Sequence, residues 1–238
     1  MTTAARTLSV QHVMQIEGMT RDDVVLVLDT ARSFSEVNER ALKKVPVLRG
    51  RTVAMLFFEN STRTRLSFEL AAKRLSADTL SFSASGSSVA KGETLLDTAK
   101  NIEAMGPDLV VVRHHHAGAP QMLARAMSGA IVNAGDGQHE HPTQALLDAF
   151  TLLDRWQRTA AQGLEGKTIA IVGDIARSRV ARSNMQCLTM LGARVRVCGP
   201  ATMLPAGLDH YGVDVTSSMD HAIEGVDDIF RLAARAGA

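Results

Sequence analysis

Residues 57–69 read FFENSTRTRLSFE, an apolar run that gives way to hydroxyls and two arginines where a helical pattern begins. Ser61, Thr62, Arg63 and Thr64 would follow a buried strand and open a helix. A helix start favours an anion through its free N–H groups and its dipole. The hydroxyls and a guanidinium add donors shaped for phosphate oxygens. The stretch lacks the glycines and lysine of a P-loop, which argues against a nucleoside triphosphate held in that cradle. An ordinary N-cap with solvent-facing arginines is the competing reading.

Three further polar clusters could carry chemistry. SASGSSVAKGET, residues 83–94, is a small-residue loop that reaches Lys91 just before a helix start, and taken alone it reads as a linker or mobile loop. RHHHAGAP begins at Arg113 after the strand-like DLVVV. Its three consecutive histidines invite a metal, but neighbours in a run are not expected to converge on one ion, and no partner cluster with ligand spacing accompanies them. No metal is therefore expected. NAGDGQHEHPTQ, residues 133–144, has glycines for a tight turn and Pro142 suited to the first turn of a helix. His141 would then sit at a helix N-terminus, where the dipole disfavours imidazolium. A neutral imidazole there suits polarising a carbonyl rather than abstracting a proton. A capping or purely structural histidine is the alternative.

The elements that must position these clusters alternate along the chain. A helix is expected from Thr20, where Thr20 with Asp23 gives an N-cap signal, to about Phe34. Short apolar runs at 51–58, 79–82, 108–112 and 130–135 read as buried strands, separated by helices starting near Thr64, Glu93, Gln121 and Pro142. A polar stretch with two glycines, 157–167, precedes another buried strand, TIAIVGD, then a helix over 182–191 and a strand at 194–199. This pattern predicts an α/β protein of two domains, each a parallel sheet flanked by helices, with residues 1–155 in the first and 156–238 in an incomplete second. In such sheets ligands bind beyond the carboxyl ends of the strands, which is where all four clusters fall.

Composition narrows the function class. The 238 residues are 45% hydrophobic, enough for a substantial core. The 26 basic residues balance 25 acidic ones, so no global field recruits nucleic acid or an acidic membrane, and any positive site is local. Cys187 and Cys198 fit no zinc spacing and are too few for a disulfide framework, so they read as buried thiols in a reducing, cytoplasmic setting. The N-terminal stretch has no long apolar core, and no window approaches the ~20 apolar residues of a membrane span. Neither secretion nor membrane insertion is expected.

In their order and spacing, STRTR, the KGET loop, Arg-His after a strand, and HPTQ closely resemble the transcarbamylase family over residues 13–225. NAGDG before HPTQ, and GDIARSRVARSN at 173–184, resemble its aspartate-specific branch. The resemblance implies that Ser61, Thr62, Arg63 and Thr64 bind the phosphate of carbamoyl phosphate, with Arg113 reaching phosphate and carbonyl oxygen. It further implies that His141 and Thr64 donate to that carbonyl and that Gln144 contacts the carbamoyl nitrogen. Arg179 would hold a carboxylate of aspartate. Ser87 and Lys91 would reach into the site of a neighbouring subunit, Lys91 also serving aspartate, in a homotrimer that could carry regulatory chains. The implied reaction is attack of the aspartate α-amine on the carbamoyl carbon, in pyrimidine synthesis, with no cofactor and no nucleophilic side chain.

The resemblance also implies an Arg-x-Gln element that grips the aspartate side chain, followed by closing helices. Here the chain reads GVDDIFRLAARAGA; Arg231 is in the neighbourhood but no Gln follows it, so no role is carried over to it. The expectation is a truncated or frame-shifted chain with an intact first domain and some exposed apolar surface. Two other readings stand beside an aspartate-specific enzyme: a non-catalytic carbamoyl phosphate-binding remnant, and transfer to another amine such as ornithine.

Overall fold

The structure is a computed structural model that describes residues 6–83 and 94–232. Helix α1 (Arg21–Ser35) opens with the expected reciprocal cap. The Thr20 amide donates to Asp23 Oδ2 at 2.9 Å, and the Asp23 amide returns a bond to Thr20 Oγ1 at 3.1 Å. The chain then divides into two compact units, one built from Leu8–Gln15 and Thr30–Pro142, the other from Ile16–Asp29 and the chain from Thr143 onward.

The first unit holds strands β1 (Thr52–Phe57), β2 (Asp78–Ser83), β3 (Leu109–His114) and β4 (Ala130–Asp136), all parallel in the order β2-β1-β3-β4. Helices α2 (Thr62–Arg74), α3 (Leu95–Glu103) and α4 (Ala119–Ala126) connect them. Alternation along β1 explains the arrangement. Val53, Met55 and Phe57 pack with Ala72 of α2 on one face. Ala54 and Leu56 pack with Ala99, Ile102 and Leu123 of α3 and α4 on the other. Residue 13 adds a parallel bridge to Val132, so the N-terminal segment extends this sheet at β4.

The second unit holds α5 (Pro142–Arg155), which starts at the unit boundary, and a parallel sheet of β5 (Thr168–Val172), β6 (Arg194–Cys198), β7 (Asp214–Thr216) and β8 (Asp228–Arg231), in the order β7-β6-β5-β8. Helices α6 (Arg179–Met190) and α7 (Met219–Ile223) accompany it. Cys187 and Cys198 are both buried. Strands β7 and β8 are additions to the sequence reading. Both are short and carry alternate exposed residues, so neither presents the apolar run that marks a strand buried on both faces.

Each sheet has one topological switch point. The chain leaves β1 for β2 on one side and returns to β3 on the other, so the carboxyl ends of β1 and β3 flank the switch. In the second sheet the switch lies between β5 and β8, and Gly173 closes it with φ +131°. A Cβ there would meet Leu232 O at 2.8 Å, so alanine at 173 would force the β5 and β8 ends apart.

Candidate functional site

Four residues separate helix α2 from β1, and it begins two residues earlier than the pattern suggested, which makes Ser61 the N-cap and Thr62, Arg63 and Thr64 its first turn. Ser61 is extended (φ −158°, ψ 90°), and its side chain makes no capping bond. The first-turn amides have no intrahelical acceptors by helix geometry, so they present donors to whatever lies beyond β1. The two arginines differ. Arg65 pairs with Glu69 at 2.9 Å, and Glu69, also taking a bond from Ser81, is held below the usual carboxylate range. Arg63 is exposed and makes no ion pair among the described residues.

Arg113 lies on β3 in register with Phe57 of β1, and its carbonyl accepts the Phe58 amide at 2.9 Å. The residue is 8% exposed. One guanidinium nitrogen donates to Ala134 O at 3.1 Å, and another to Glu59 Oε1 at 2.6 Å. The carboxyl ends of β1, β3 and β4 are thus joined through one buried cation. Glu59 was not singled out from the sequence, although it stands directly after the β1 run. An anion arriving at Arg113 must compete with this carboxylate.

Beyond β4 the chain turns through 136–140. Asp136 and Glu140 form an antiparallel bridge, and the Gly137 amide donates to His114 O at 2.9 Å. Gly137 has φ +49°, and a Cβ on it would meet the Ala117 amide nitrogen at 2.7 Å, so this turn requires glycine where the β3 loop crosses it. His141 follows, 6% exposed, immediately before Pro142 opens α5, as the sequence predicts. Arg113, the α2 start and His141 all stand at the carboxyl edge of the first sheet. Ser87 and Lys91 lie outside the described residues.

The histidine run corrects one expectation: ring nitrogens of His114, His115 and His116 lie within 4.8 Å of one another. Two of these rings stack at 4.3 Å between centroids, and His115 and His116 meet edge-on at 4.1 Å. Convergence does not make them a ready ligand set, because His114 Nδ1 already accepts the His116 amide at 2.9 Å. Its proton is then on Nε2, and neither nitrogen offers a free lone pair to a metal.

Burial, and then the charges His115 and His116 would carry, push His114 from 6.5 down to about 4, against the pull of Asp136. The unfolded chain therefore takes up a proton that folded His114 refuses. This contribution to stability is complete above pH 6.5 and is lost as pH falls toward 4. Wild type should lose about 1 to 2 kcal/mol more stability than His114→Gln between pH 7 and pH 5 in urea unfolding. Parallel pH profiles for the two proteins would contradict this assignment.

In the second unit, Gln144 Nε2 donates to Asp148 Oδ1 at 2.9 Å, and Asp148 Oδ2 accepts Asn184 Nδ2 at 2.8 Å. Burial raises Asp148 overall, although both amides pull it down. The bond to Asp148 uses one N–H of the Gln144 amide and orients the group, leaving Oε1 as an acceptor. Arg179 is 4% exposed and is the first residue of α6, which starts three residues before the expected 182 because Ser178 caps the helix by accepting the Ala181 amide at 3.1 Å. No helix of the described residues is long and apolar enough to cross a membrane.

Residues 11–154 match the family described as aspartate/ornithine carbamoyltransferase, carbamoyl-P binding domain. The aspartate carbamoyltransferase catalytic subunit of Syntrophotalea carbinolica is 55% identical over 222 residues, 93% of this chain and 69% of that one. That of Streptomyces griseus is 54% identical over 227 residues, with the same shares. Among solved structures, aspartate transcarbamoylase from Trypanosoma cruzi in complex with aspartate and phosphate superposes with a TM-score of 0.84 at 28% identity, over 94% of this chain and 76% of that one. The catalytic subunit of M. jannaschii aspartate transcarbamoylase gives 0.80 at 32% identity, over 93% and 73%. The fold, two parallel four-stranded sheets flanked by helices, agrees with these neighbours, and the chain belongs to the aspartate/ornithine carbamoyltransferase family.

Proposed function

We infer that this chain transfers the carbamoyl group of carbamoyl phosphate to the α-amine of L-aspartate, giving N-carbamoyl-L-aspartate and phosphate in the pyrimidine pathway. The observation that carries the reading is that a buried arginine, an open helix start and a buried histidine all stand at the carboxyl edge of one parallel sheet. The chain's relatives of 55% and 54% identity are aspartate carbamoyltransferases, which favours aspartate as the acceptor.

In this reading residues 1–155 bind carbamoyl phosphate and 156–238 contribute to binding aspartate. Ser61, Thr62, Arg63 and Thr64 hold the phosphate. Arg113 exchanges Glu59 for phosphate and carbonyl oxygen, and His141 and Thr64 donate to that oxygen. Gln144 accepts from the carbamoyl NH2 through the amide oxygen that Asp148 leaves available. Arg179 and Lys91 take aspartate carboxylates, with Ser87 and Lys91 supplied by a neighbouring chain of a cytoplasmic homotrimer that could carry regulatory chains.

The amine nitrogen bonds to the carbamoyl carbon, the bond from that carbon to the phosphate oxygen breaks, and the leaving phosphate accepts the amine proton. The protein's work is to orient two anions and to stabilise the developing oxyanion. Incubated with carbon-13-labelled carbamoyl phosphate and L-aspartate, the chain should form carbamoyl aspartate and phosphate in equal amounts. Preferred transfer to L-ornithine, or no carbamoylated amine at all, would overturn the reading.

A further inference from the structure

Asp136 is fully buried at the end of β4, yet its carboxylate is neither a lone charge nor half of a simple ion pair. Its Oδ2 accepts the Gly118 amide at 2.8 Å. Its Oδ1 accepts Asn133 Nδ2 at 2.8 Å and the Glu140 amide at 3.2 Å. His139 Nδ1 lies 3.2 Å from Oδ1 and 3.1 Å from Oδ2, so with Asp136 ionised the shared proton belongs to the imidazole. Burial pushes Asp136 up, but the bonds from His139, Gly118 and Asn133 outweigh it and hold the group below the usual carboxylate range.

Apart from Asn133, which is on β4 itself, these donors come from two different loops. Gly118 ends the loop that leaves β3 just after Arg113 and His114. His139 and Glu140 belong to the turn that ends at His141. Asn133 anchors the arrangement from behind, since its Nδ2 also donates to Met14 O at 2.8 Å and its Oδ1 accepts the Gly135 amide at 2.8 Å. His114, paired with Asp136 in the β3–β4 register, contributes its carbonyl to Gly137. One carboxylate therefore fixes the loop beyond Arg113 against the turn before His141, and its polar partners all lie within a single compact unit.

We propose that Asp136 is a positioning residue that sets the separation of Arg113 and His141 by clamping the Gly118 and Glu140 amides between the two loops. The inference rests on the function proposed above, which makes that separation matter for phosphate and carbonyl recognition. Nothing requires Asp136 to touch a substrate. An asparagine fits the same space but turns an NH2 toward either the Gly118 amide or the Glu140 amide, and since neither can accept, at least one of these bonds becomes a donor facing a donor.

The test is Asp136→Asn, titrated with inorganic phosphate by calorimetry, together with amide hydrogen exchange on the full chain. The clamp predicts a dissociation constant raised about tenfold at unchanged stoichiometry, and turnover lowered about 100-fold, the size of effect a displaced catalytic group produces. It also predicts faster exchange at Gly118 and Glu140 while the amides of β1 and β3 keep their protection. A residue needed only for folding would reduce the stoichiometry and leave the dissociation constant of the remaining sites unchanged, and that result overturns the proposal. If wild type itself fails to bind phosphate, the proposed function falls, and the exchange pattern still judges the clamp. Should the variant not fold, wild type decides: Gly118 and Glu140, although in loops, must exchange as slowly as the β4 amides, and rapid exchange refutes the clamp.

Discussion

Arg113→Ala should lower kcat/KM for carbamoyl phosphate by 10³-fold or more and raise its dissociation constant beyond the range of calorimetry. Charge-assisted hydrogen bonds to a substrate contribute about 1.5–3 kcal/mol each, and a buried guanidinium can make two of them to phosphate and carbonyl oxygen. The substitution also leaves Glu59, now 2.6 Å from a guanidinium nitrogen, without this cation at the mouth of an anion site. Its charge would then oppose the substrate. Arg113→Lys should recover only part of the loss, because an ammonium cannot reproduce the planar fork that spans Ala134 O and Glu59. Arg65→Ala is the comparison. Its side chain is engaged with Glu69, and the change should move kcat/KM by less than about threefold, in line with the small worth of an i,i+4 ion pair on a helix. Equal effects at positions 65 and 113 would remove Arg113 from the site.

His141→Ala should separate chemistry from binding. If His141 donates to the carbonyl oxygen as charge develops there, kcat falls about 10²- to 10³-fold, the range seen when one oxyanion donor is removed. The affinity for inorganic phosphate, which carries no carbonyl, should stay within about threefold. The residue is buried, so the alanine variant needs a check of folding by circular dichroism and urea unfolding, and His141→Gln offers a donor in a similar volume. A variant that loses phosphate affinity in step with kcat would mean that His141 shapes the anion site rather than the carbonyl contact.

The sequence made some of this legible and left the rest hidden, for physical reasons. Strands β1 and β3 announce themselves because both their faces are covered, giving unbroken apolar runs such as TVAMLF. Arg113 and His141 stand out because each follows such a run at a position where loops lead into helices. What the sequence cannot display is the order β2-β1-β3-β4, which brings residues 57 and 113 into register although they are far apart in the chain. The partners that depend on that order were therefore missed. Glu59 reads as a polar loop residue until β3 sets a guanidinium beside it, and Asp136 reads as part of a glycine turn until the Gly118 loop folds over it. The histidine run misled in the opposite direction. Its rings do converge, and only the hydrogen bond from the His116 amide reveals that the buried member is already occupied.

The most direct test of the central claim, that the carboxyl edge of the first sheet is a carbamoyl phosphate site feeding an aspartate acceptor, is an ordered calorimetric titration. Carbamoyl phosphate is added first, and succinate, an unreactive dicarboxylate, is then added in the same cell. The account predicts saturable binding of carbamoyl phosphate that Arg113→Ala abolishes, followed by succinate binding that requires the first ligand. Absence of carbamoyl phosphate binding to the wild-type chain, or binding that Arg113→Ala leaves intact, would contradict it.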